Sequence, residues 1–422
     1  MLSFLTAKKE GGTFILRIDD TDRERSKEEY VEAAKRDLTW LGLEWDRFER
    51  QSDRFDRYEA AAARWKEQGR LYACYETPTE LELKRKRQAS MGKPPVYDRS
   101  ALELTSDQIA AYEDEGRKPH FRFKLDQTRV AWDDLIRGET SVDLASVSDP
   151  VLIRADGTWL YTPCSVVDDA EMGVTHVVRG EDHVTNTATQ IQMIEALGYE
   201  VPRFAHHSLL VGAQGEALSK RLGSLTLSGL REEGIEPLAL VSLMARLGAS
   251  DPIEPRTGMD QVIEGFDITR FGRAPARFDL DDVKQLNAKI LHAMPVEAVA
   301  EDMAQHGLAG AEAEAVWALI RGNLERRGDL HPWVEIITKG AKPDVAEEDA
   351  AFIAEAMALA PPRPWTAETW KDWTDAVKAT TGRKGKGLFM PLRKALTGQA
   401  RGPEMADLLP LLQHVPALEL AK

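Results

Sequence analysis

The sequence predicts an α/β domain interrupted by an α+β insertion and followed by an all-α region. Three observations carry this prediction. A short strand, an acidic turn and a helix follow one another at the start of the chain. That rhythm breaks near residue 55 and returns near residue 161, and beyond about residue 225 apolar residues recur almost wholly at helical spacing.

The first strand is the β-rich run Thr13–Ile18, which follows Gly11-Gly12 and ends in Asp19-Asp20-Thr21-Asp22. Ser26 with Glu29 has the spacing of a capping box, and Val31, Ala34, Leu38 and Leu41 continue the helix until Gly42. Between Phe55 and Leu160 lie the basic cluster Lys84-Arg85-Lys86-Arg87, the turn Gly92-Lys93-Pro94-Pro95 and four short runs. These runs, Phe121–Leu125, Val130–Asp134, Ser141–Leu144 and Val151–Arg154, are predicted strands of an insertion between two halves of the sheet. The α/β rhythm resumes with Thr175–Arg179, then Gly180-Glu181-Asp182, then a helix ending near Gly198. The apolar run Ser208–Val211 leads through Gln214-Gly215 into the loop Ala217–Ser224. Further on, Ile353, Met357 and Ala360, and Trp370, Trp373 and Val377, mark core-facing stripes of helices rather than a base-stacking platform.

Composition bounds the function. At about 150 residues per domain, 422 residues make two to three domains. With 43% apolar and 30% charged residues the chain is not disordered, and no run reaches the ~18 apolar residues of a membrane span. Its first residues place apolar groups before Lys8, the reverse of a secretory signal, so a cytoplasmic, non-membrane protein is expected. Two cysteines, Cys74 and Cys164, exclude a disulfide framework and a four-cysteine metal site. A net charge of −15 excludes a general nucleic-acid coat but not local phosphate binding. Residues 378–401 carry seven cations and no acid. A solvated face is the ordinary reading of that stretch and of the Lys84–Arg87 cluster.

Several chemistries are excluded by pattern. Gly382 and Gly387 have Walker spacing, but Leu388 stands where the lysine is required. No dinucleotide fingerprint, nucleophile elbow or metal-ligand histidine spacing is present. What remains is charge at the carboxyl ends of predicted parallel strands, where open α/β sheets bind ligands. Asp19, Asp20 and Asp22 follow one strand, and Arg179, Glu181 and Asp182 another. A cation near Asp19 and an anion near Arg179 would suit an acidic α-amino acid, whereas helix-start carboxylates and a surface arginine are the structural alternative. Ser219-Lys220-Arg221 with Gly223 forms a basic loop suited to phosphate.

These pieces occur in one order: Phe14 to Asp22 (FILRIDDTD), Tyr161 with Val166-Val167-Asp168-Asp169, Val178 to His183 (VRGEDH), Ala217 to Arg221 (ALSKR) and Gly385 to Arg393 (GKGLFMPLR). The chain thereby resembles bacterial glutamyl-tRNA synthetases, which are class I aminoacyl-tRNA synthetases, over essentially its whole length. The resemblance implies a Rossmann-like catalytic domain (1–55 and 161–225) split by a connective insertion (56–160). A stem-contact domain (226–297) and an α-helical anticodon-binding domain (298–422) would follow. It implies ATP with Mg²⁺, L-glutamate and tRNA(Glu) as substrates and partners of a monomer.

By position, Lys220 resembles the second lysine of the Lys-Met-Ser-Lys-Ser loop, so Ser219, Lys220 and Arg221 are expected at ATP, with Lys220 catalytic. Asp19, Tyr161, Ser165 and Arg179 are expected at glutamate, Arg179 pairing with the side-chain carboxylate. Asp22 is expected near the tRNA acceptor end, and Lys384, Lys386 and Arg393 at tRNA phosphates. The loop departs from the pattern at Ala217 and Arg221, and Ser165 stands where asparagine is frequent. Some members hold zinc in the insertion with closely spaced cysteines and a histidine; Cys74 has no partner of that kind in the sequence, so no zinc or other metal is expected. The family opens with a strand and a His-Ile-Gly-His-type motif. Residues 2–8 resemble the tail of the helix carrying that motif, so strand and motif are expected to be lacking from this chain. A non-discriminating enzyme that also charges tRNA(Gln), a glutaminyl enzyme, a tRNA-modifying glutamyl transferase and a truncated tRNA-binding paralogue are the alternatives.

Overall fold

The computed structural model describes residues 1–22, 26–216 and 226–421. It divides into two compact units: Met1–Leu222 with Met244–Ile253 and Met259–Asp279, and Gly223–Leu243 with Glu254–Gly258 and Leu280–Lys422.

In the first unit, helix α1 (Leu2–Lys9) precedes strand β1 (Ile15–Ile18), helix α2 (Glu28–Trp40) and strand β2 (Arg47–Arg50). β1 and β2 pair in parallel, Ile15 opposite Arg47, so α2 is the crossover of a β-α-β unit. The expected Ser26 capping box does not form. The helix starts at Glu28 after an uncapped Lys27, while the Ser26 amide donates to the Asp22 carbonyl at 3.1 Å. Glu28 and Glu29 instead meet the positive end of the helix dipole.

Next come α3 (Phe55–Glu67), β3 (Leu71–Cys74), α4 (Pro78–Ser90), α5 (Ser106–Asp114), β4 (His120–Phe123), β5 (Arg129–Asp134), β6 (Gly138–Asp143) and β7 (Val151–Ile153). α4 has the capping box that α2 lacks, Thr77 with Glu80, and a proline in its first turn. β3, β4 and β7 form an antiparallel sheet of their own. The β5–β6 hairpin goes elsewhere: its Asp134 pairs with Phe204, joining it to later strands. Alternation within a strand shows which face is buried, not which sheet it joins.

α6 (Tyr161–Glu171), β8 (His176–Gly180), α7 (Val184–Leu197) and β9 (Arg203–His207) complete the four-stranded sheet, in the order β6-β5-β9-β8. α7 ends at Gly198, whose φ of 74° suits a left-handed cap. The apolar run predicted over Ser208–Val211 is realised as β10 (Leu210–Gly212), which pairs in parallel with β11 (Ala276–Phe278). One apolar core joins Tyr58, Trp65, Phe123, Leu152, Val167, Met193 and Leu197, so β4 and β7 share an interior with α3, α6 and α7. The free edges of β1 and β8 border one slot of about 510 Å³, lined by Phe14, Ile15, Met172, Val174 and Val178 among others.

The second unit is helical, including Leu280–Ala293, Gly310–Ile320, Leu330–Lys339, Ala350–Ala358, Thr369–Thr381 and Lys386–Thr397. Ile353, Met357, Trp373 and Val377 are buried as their spacing predicts, and Trp373 Nε1 donates to the Ala356 carbonyl at 2.8 Å. Among the described residues no helix is long and apolar enough to cross a membrane.

Candidate active site

Two arginines organise the ends of β1 and β8. Arg17 lies in β1, the strand that ends just before Asp19. Its Nε donates to Asp19 at 2.8 Å, Nη1 to Asp169 at 2.7 Å and Nη2 to Ser165 at 3.4 Å. Burial alone would lower the Arg17 pKa, but the carboxylates of Asp169 and Asp19 more than offset this and hold it above its ordinary value. Asp19 and Ser165 therefore share one guanidinium, and a cation already stands beside Asp19. Asp20 is structural: buried, it accepts from the amide and hydroxyl of Ser52, both at 2.8 Å.

Arg179 occupies β8 directly opposite His206 of β9. Parallel pairing puts both on one face, with α7 over them. Its Nη2 donates to Thr187 Oγ1 at 2.6 Å and to Gln190 Oε1 at 2.7 Å, and its Nε to His206 Nε2 at 3.3 Å. Tyr161, 44% exposed at the start of α6, is a further hydrogen-bond partner. Among the described residues no carboxylate forms an ion pair with Arg179, though the field of Asp169 reaches it. Burial pushes the Arg179 pKa below its ordinary value. A half-buried guanidinium held only by neutral groups has its charge left for a ligand.

Other strand-end acids are occupied. Glu181 pairs with Arg137 at 2.9 Å, and Asp182 stands 3.6 Å from the His183 imidazole, from where its field also reaches Arg179. Asp168 is fully buried and accepts from Arg54 Nε at 2.7 Å, Tyr58 at 2.9 Å and Gln51 at 3.0 Å, tying α6 to α3. Asp22 is exposed in the bend after β1. Ser219, Lys220 and Arg221 lie outside the described residues.

Cys74 is not solitary, contrary to the sequence expectation. Its Sγ lies with Glu76 and His120, their ligand atoms within 4.8 Å of one another. His120 Nε2 has no partner among the described residues. Yet Tyr97 hydrogen-bonds the thiol, which burial pushes up to about 11, and Lys84 sits on Glu76 at 3.2 Å. Three donors, one already holding an ammonium, fall short of the four ligands of a closed zinc site. They do not fit that metal.

The basic stretches are less open than they read. Lys84 serves Glu76 and Asp98, Arg383 pairs with Asp349, and Lys394 with Asp344 at 2.7 Å. Lys384 and Lys386 are exposed. Arg393 donates to the Pro403 carbonyl at 2.9 Å, while its buried Nη1 has no partner among the described residues.

Sequence reasoning missed Arg17, Asp134, Thr187, Gln190 and His206. Arg17 lies inside the FILRIDDTD motif, which assigns it no role of its own. The others lack any local signal, because their contacts with one another and with Arg179 span 8 to 72 positions.

Residues 1–285 match the family described as tRNA synthetases class I (E and Q), catalytic domain, and residues 297–415 match the anticodon binding domain family. The chain is 61% identical over 417 residues to glutamate–tRNA ligase 1 of Ruegeria pomeroyi, covering 99% of this chain and 94% of that protein. It is 59% identical over 418 residues to glutamate–tRNA ligase 2 of Dinoroseobacter shibae, covering 99% and 95%. Its fold is similar to a glutamate tRNA ligase from Elizabethkingia meningosepticum solved in complex with its amino acid. The TM-score is 0.82 at 27% identity, over 99% of this chain and 93% of that one.

Proposed function

The chain belongs to the class I tRNA synthetases for glutamate and glutamine, and we propose that it joins L-glutamate to tRNA(Glu) with ATP as energy source, through a glutamyl-adenylate. The observation that carries this reading is Arg179, a half-buried guanidinium whose hydrogen-bond partners among the described residues are neutral and whose charge awaits an anion. A side-chain carboxylate satisfies it; an amide cannot neutralise it, which favours glutamate over glutamine.

In this reading the glutamate α-carboxylate attacks the α-phosphorus of ATP and pyrophosphate leaves. The nucleophile is ionised near neutral pH, so no general base is needed. Arg179 and Tyr161 orient the side chain. Asp19 and Ser165, aligned by Arg17, face the α-ammonium. Ser219, Lys220 and Arg221 are assigned to the triphosphate, which arrives as its Mg²⁺ complex, with Lys220 stabilising charge on the departing phosphates. The acyl group then passes to a ribose hydroxyl of the terminal tRNA adenosine, near Asp22. Lys384, Lys386 and Arg393 are assigned to tRNA phosphates; two are exposed, and the third has an unpartnered donor.

Arg179→Ala tests the reading. It should weaken glutamate at least about 100-fold, the scale of truncating one partner of a desolvated charge pair, while ATP affinity changes little. Equal loss for both substrates, or none, would refute the assignment.

A further inference from the structure

We propose that Asp134 and His206 are positioning residues that act through Thr187 to fix the guanidinium of Arg179 for a side-chain carboxylate. The proposal rests on the assignment of Arg179 to glutamate above and extends it to residues that touch no substrate.

The sheet brings these residues together. Asp134 of β5 pairs with Phe204 of β9, His206 lies two residues further on the same face, and Arg179 of β8 is opposite His206. Thr187 and Gln190 descend from α7 onto the same point. Asp134, Thr187, Gln190 and His206 are 2%, 0%, 4% and 0% exposed, so water does not compete for their hydrogen bonds.

The polarity of the chain is set at Asp134. Its Oδ1 accepts three backbone amides, from Arg137 at 3.0 Å and from Ile136 and His206 at 3.1 Å each. Its Oδ2 meets His206 Nδ1 at 2.5 Å. Burial would raise the Asp134 pKa, but the hydrogen bonds from His206 and from the backbone amides prevail and hold it well below its ordinary value. An ionised carboxylate only accepts, so His206 carries a proton on Nδ1, and Nε2, which accepts from Arg179 Nε at 3.3 Å, offers a lone pair. Thr187 Oγ1 has two acceptors for its one proton, that lone pair at 2.9 Å and the His183 carbonyl at 3.2 Å; it donates to the nearer, His206 Nε2, and accepts Arg179 Nη2 at 2.6 Å, while Arg179 Nε points at the same Nε2. The opposite tautomer would set an N–H of His206 against the N–H of Arg179. The imidazole tautomer thus decides whether the guanidinium is held or repelled.

The arrangement explains why, among the described residues, no carboxylate touches Arg179. An aspartate bonded directly to it would occupy the charge that the ligand needs. Set two hydrogen bonds away, Asp134 orients the guanidinium through polarised neutral groups and leaves that charge free.

Two substitutions separate this role from a merely structural one. In Asp134→Asn the three backbone amides keep the oxygen on their side, so the new NH₂ faces Nδ1 and inverts the tautomer. Thr187→Val removes the hydroxyl at nearly constant shape, and Thr187→Ser restores it. Imidazole ¹⁵N–¹H correlation spectra of the full chain read the tautomer, with the His206 signals assigned by their loss in His206→Gln. Calorimetric titration reads glutamate and ATP affinity. The expected result is an Nδ1-protonated His206 in the unaltered chain and an Nε2-protonated one in Asp134→Asn. Both Asp134→Asn and Thr187→Val should weaken glutamate by about tenfold, the scale of one hydrogen bond to a charged group, with ATP affinity unchanged and Thr187→Ser regaining most of the loss. An Nε2-protonated His206 in the unaltered chain, or unaltered glutamate affinity in Thr187→Val, overturns the proposal. Failure of the unaltered chain to bind glutamate while His206 is Nδ1-protonated would instead overturn the role given to Arg179, and the purpose of the relay with it.

Discussion

Replacing Asp168 with alanine should destabilise the first unit far more than an ordinary surface change. Its carboxylate is fully buried and holds Arg54, Tyr58 and Gln51 within 3.0 Å. Arg54 keeps Glu171 at 2.9 Å, but the Tyr58 hydroxyl and the Gln51 amide would be left inside without an acceptor. Each orphaned group costs about 1–3 kcal/mol, and breaking a buried pair typically costs about 3–5 kcal/mol, so about 4 kcal/mol is expected. At about 2–4 °C per kcal/mol for a domain of this size, the melting temperature should fall by about 8–16 °C. Asp168→Asn keeps the shape and one acceptor but turns its NH₂ toward a donor, so about half that loss is expected. Calorimetry measures the shift, and hydrogen exchange of peptides from α3 and α6 assigns it to this unit. A shift of about 2 °C or less in Asp168→Ala, which corresponds to under about 1 kcal/mol, would refute the reasoning.

Lys220→Ala should lower glutamate-dependent pyrophosphate exchange about 100-fold, because it removes a charge donor acting mainly in the transition state; an unchanged rate would remove Lys220 from the ATP site. Lys384→Ala and Lys386→Ala should each reduce the salt slope of tRNA binding by about one without altering stability, as measured by titration across salt concentrations. Cys74 and Cys164, whose thiols burial pushes up to about 11 and about 12, should resist aromatic disulfide reagents at pH 8 until the chain is unfolded. Both are raised in the fold, so the stability they contribute is fully present below the ordinary thiol value and declines as pH rises from about 9 through about 11 to 12. Gly402→Ala should destabilise the helical unit by about 1–3 kcal/mol, since its Cβ would meet the Trp333 ring at 2.1 Å on a backbone with φ of 148°; a thermal melt checks this.

Much of the architecture was legible because strand and helix periods are local. The β1 run, the helix ending at Gly198 and the core stripe through Trp373 and Val377 needed only neighbours within two turns. Arg179 was legible because strand ends are where α/β sheets bind ligands. Arg17, by contrast, alternates within its strand as any half-exposed cation does, and only the fold shows it serving Asp19 and Asp169. The Asp134–His206 contact joins residues 72 positions apart, and no spacing rule reaches that far. The Ser26 capping box failed for a related reason: the pattern was present, but the Asp22 carbonyl claimed the Ser26 amide and the helix began at Glu28.

The slot between β1 and β8 has a consequence for handling the protein. Among the described residues each strand presents one row of amides and carbonyls with no partner strand, and the two rows border the same 510 Å³ space beside Phe14, Ile15 and Val178. Such rows are templates for strand addition by any extended chain. Concentrated or warmed samples should therefore self-associate through this region, and light scattering should rise with an order in protein concentration above one. Charge placed at Ile15 or Val178 should suppress that growth, whereas charge added on the helical unit should not.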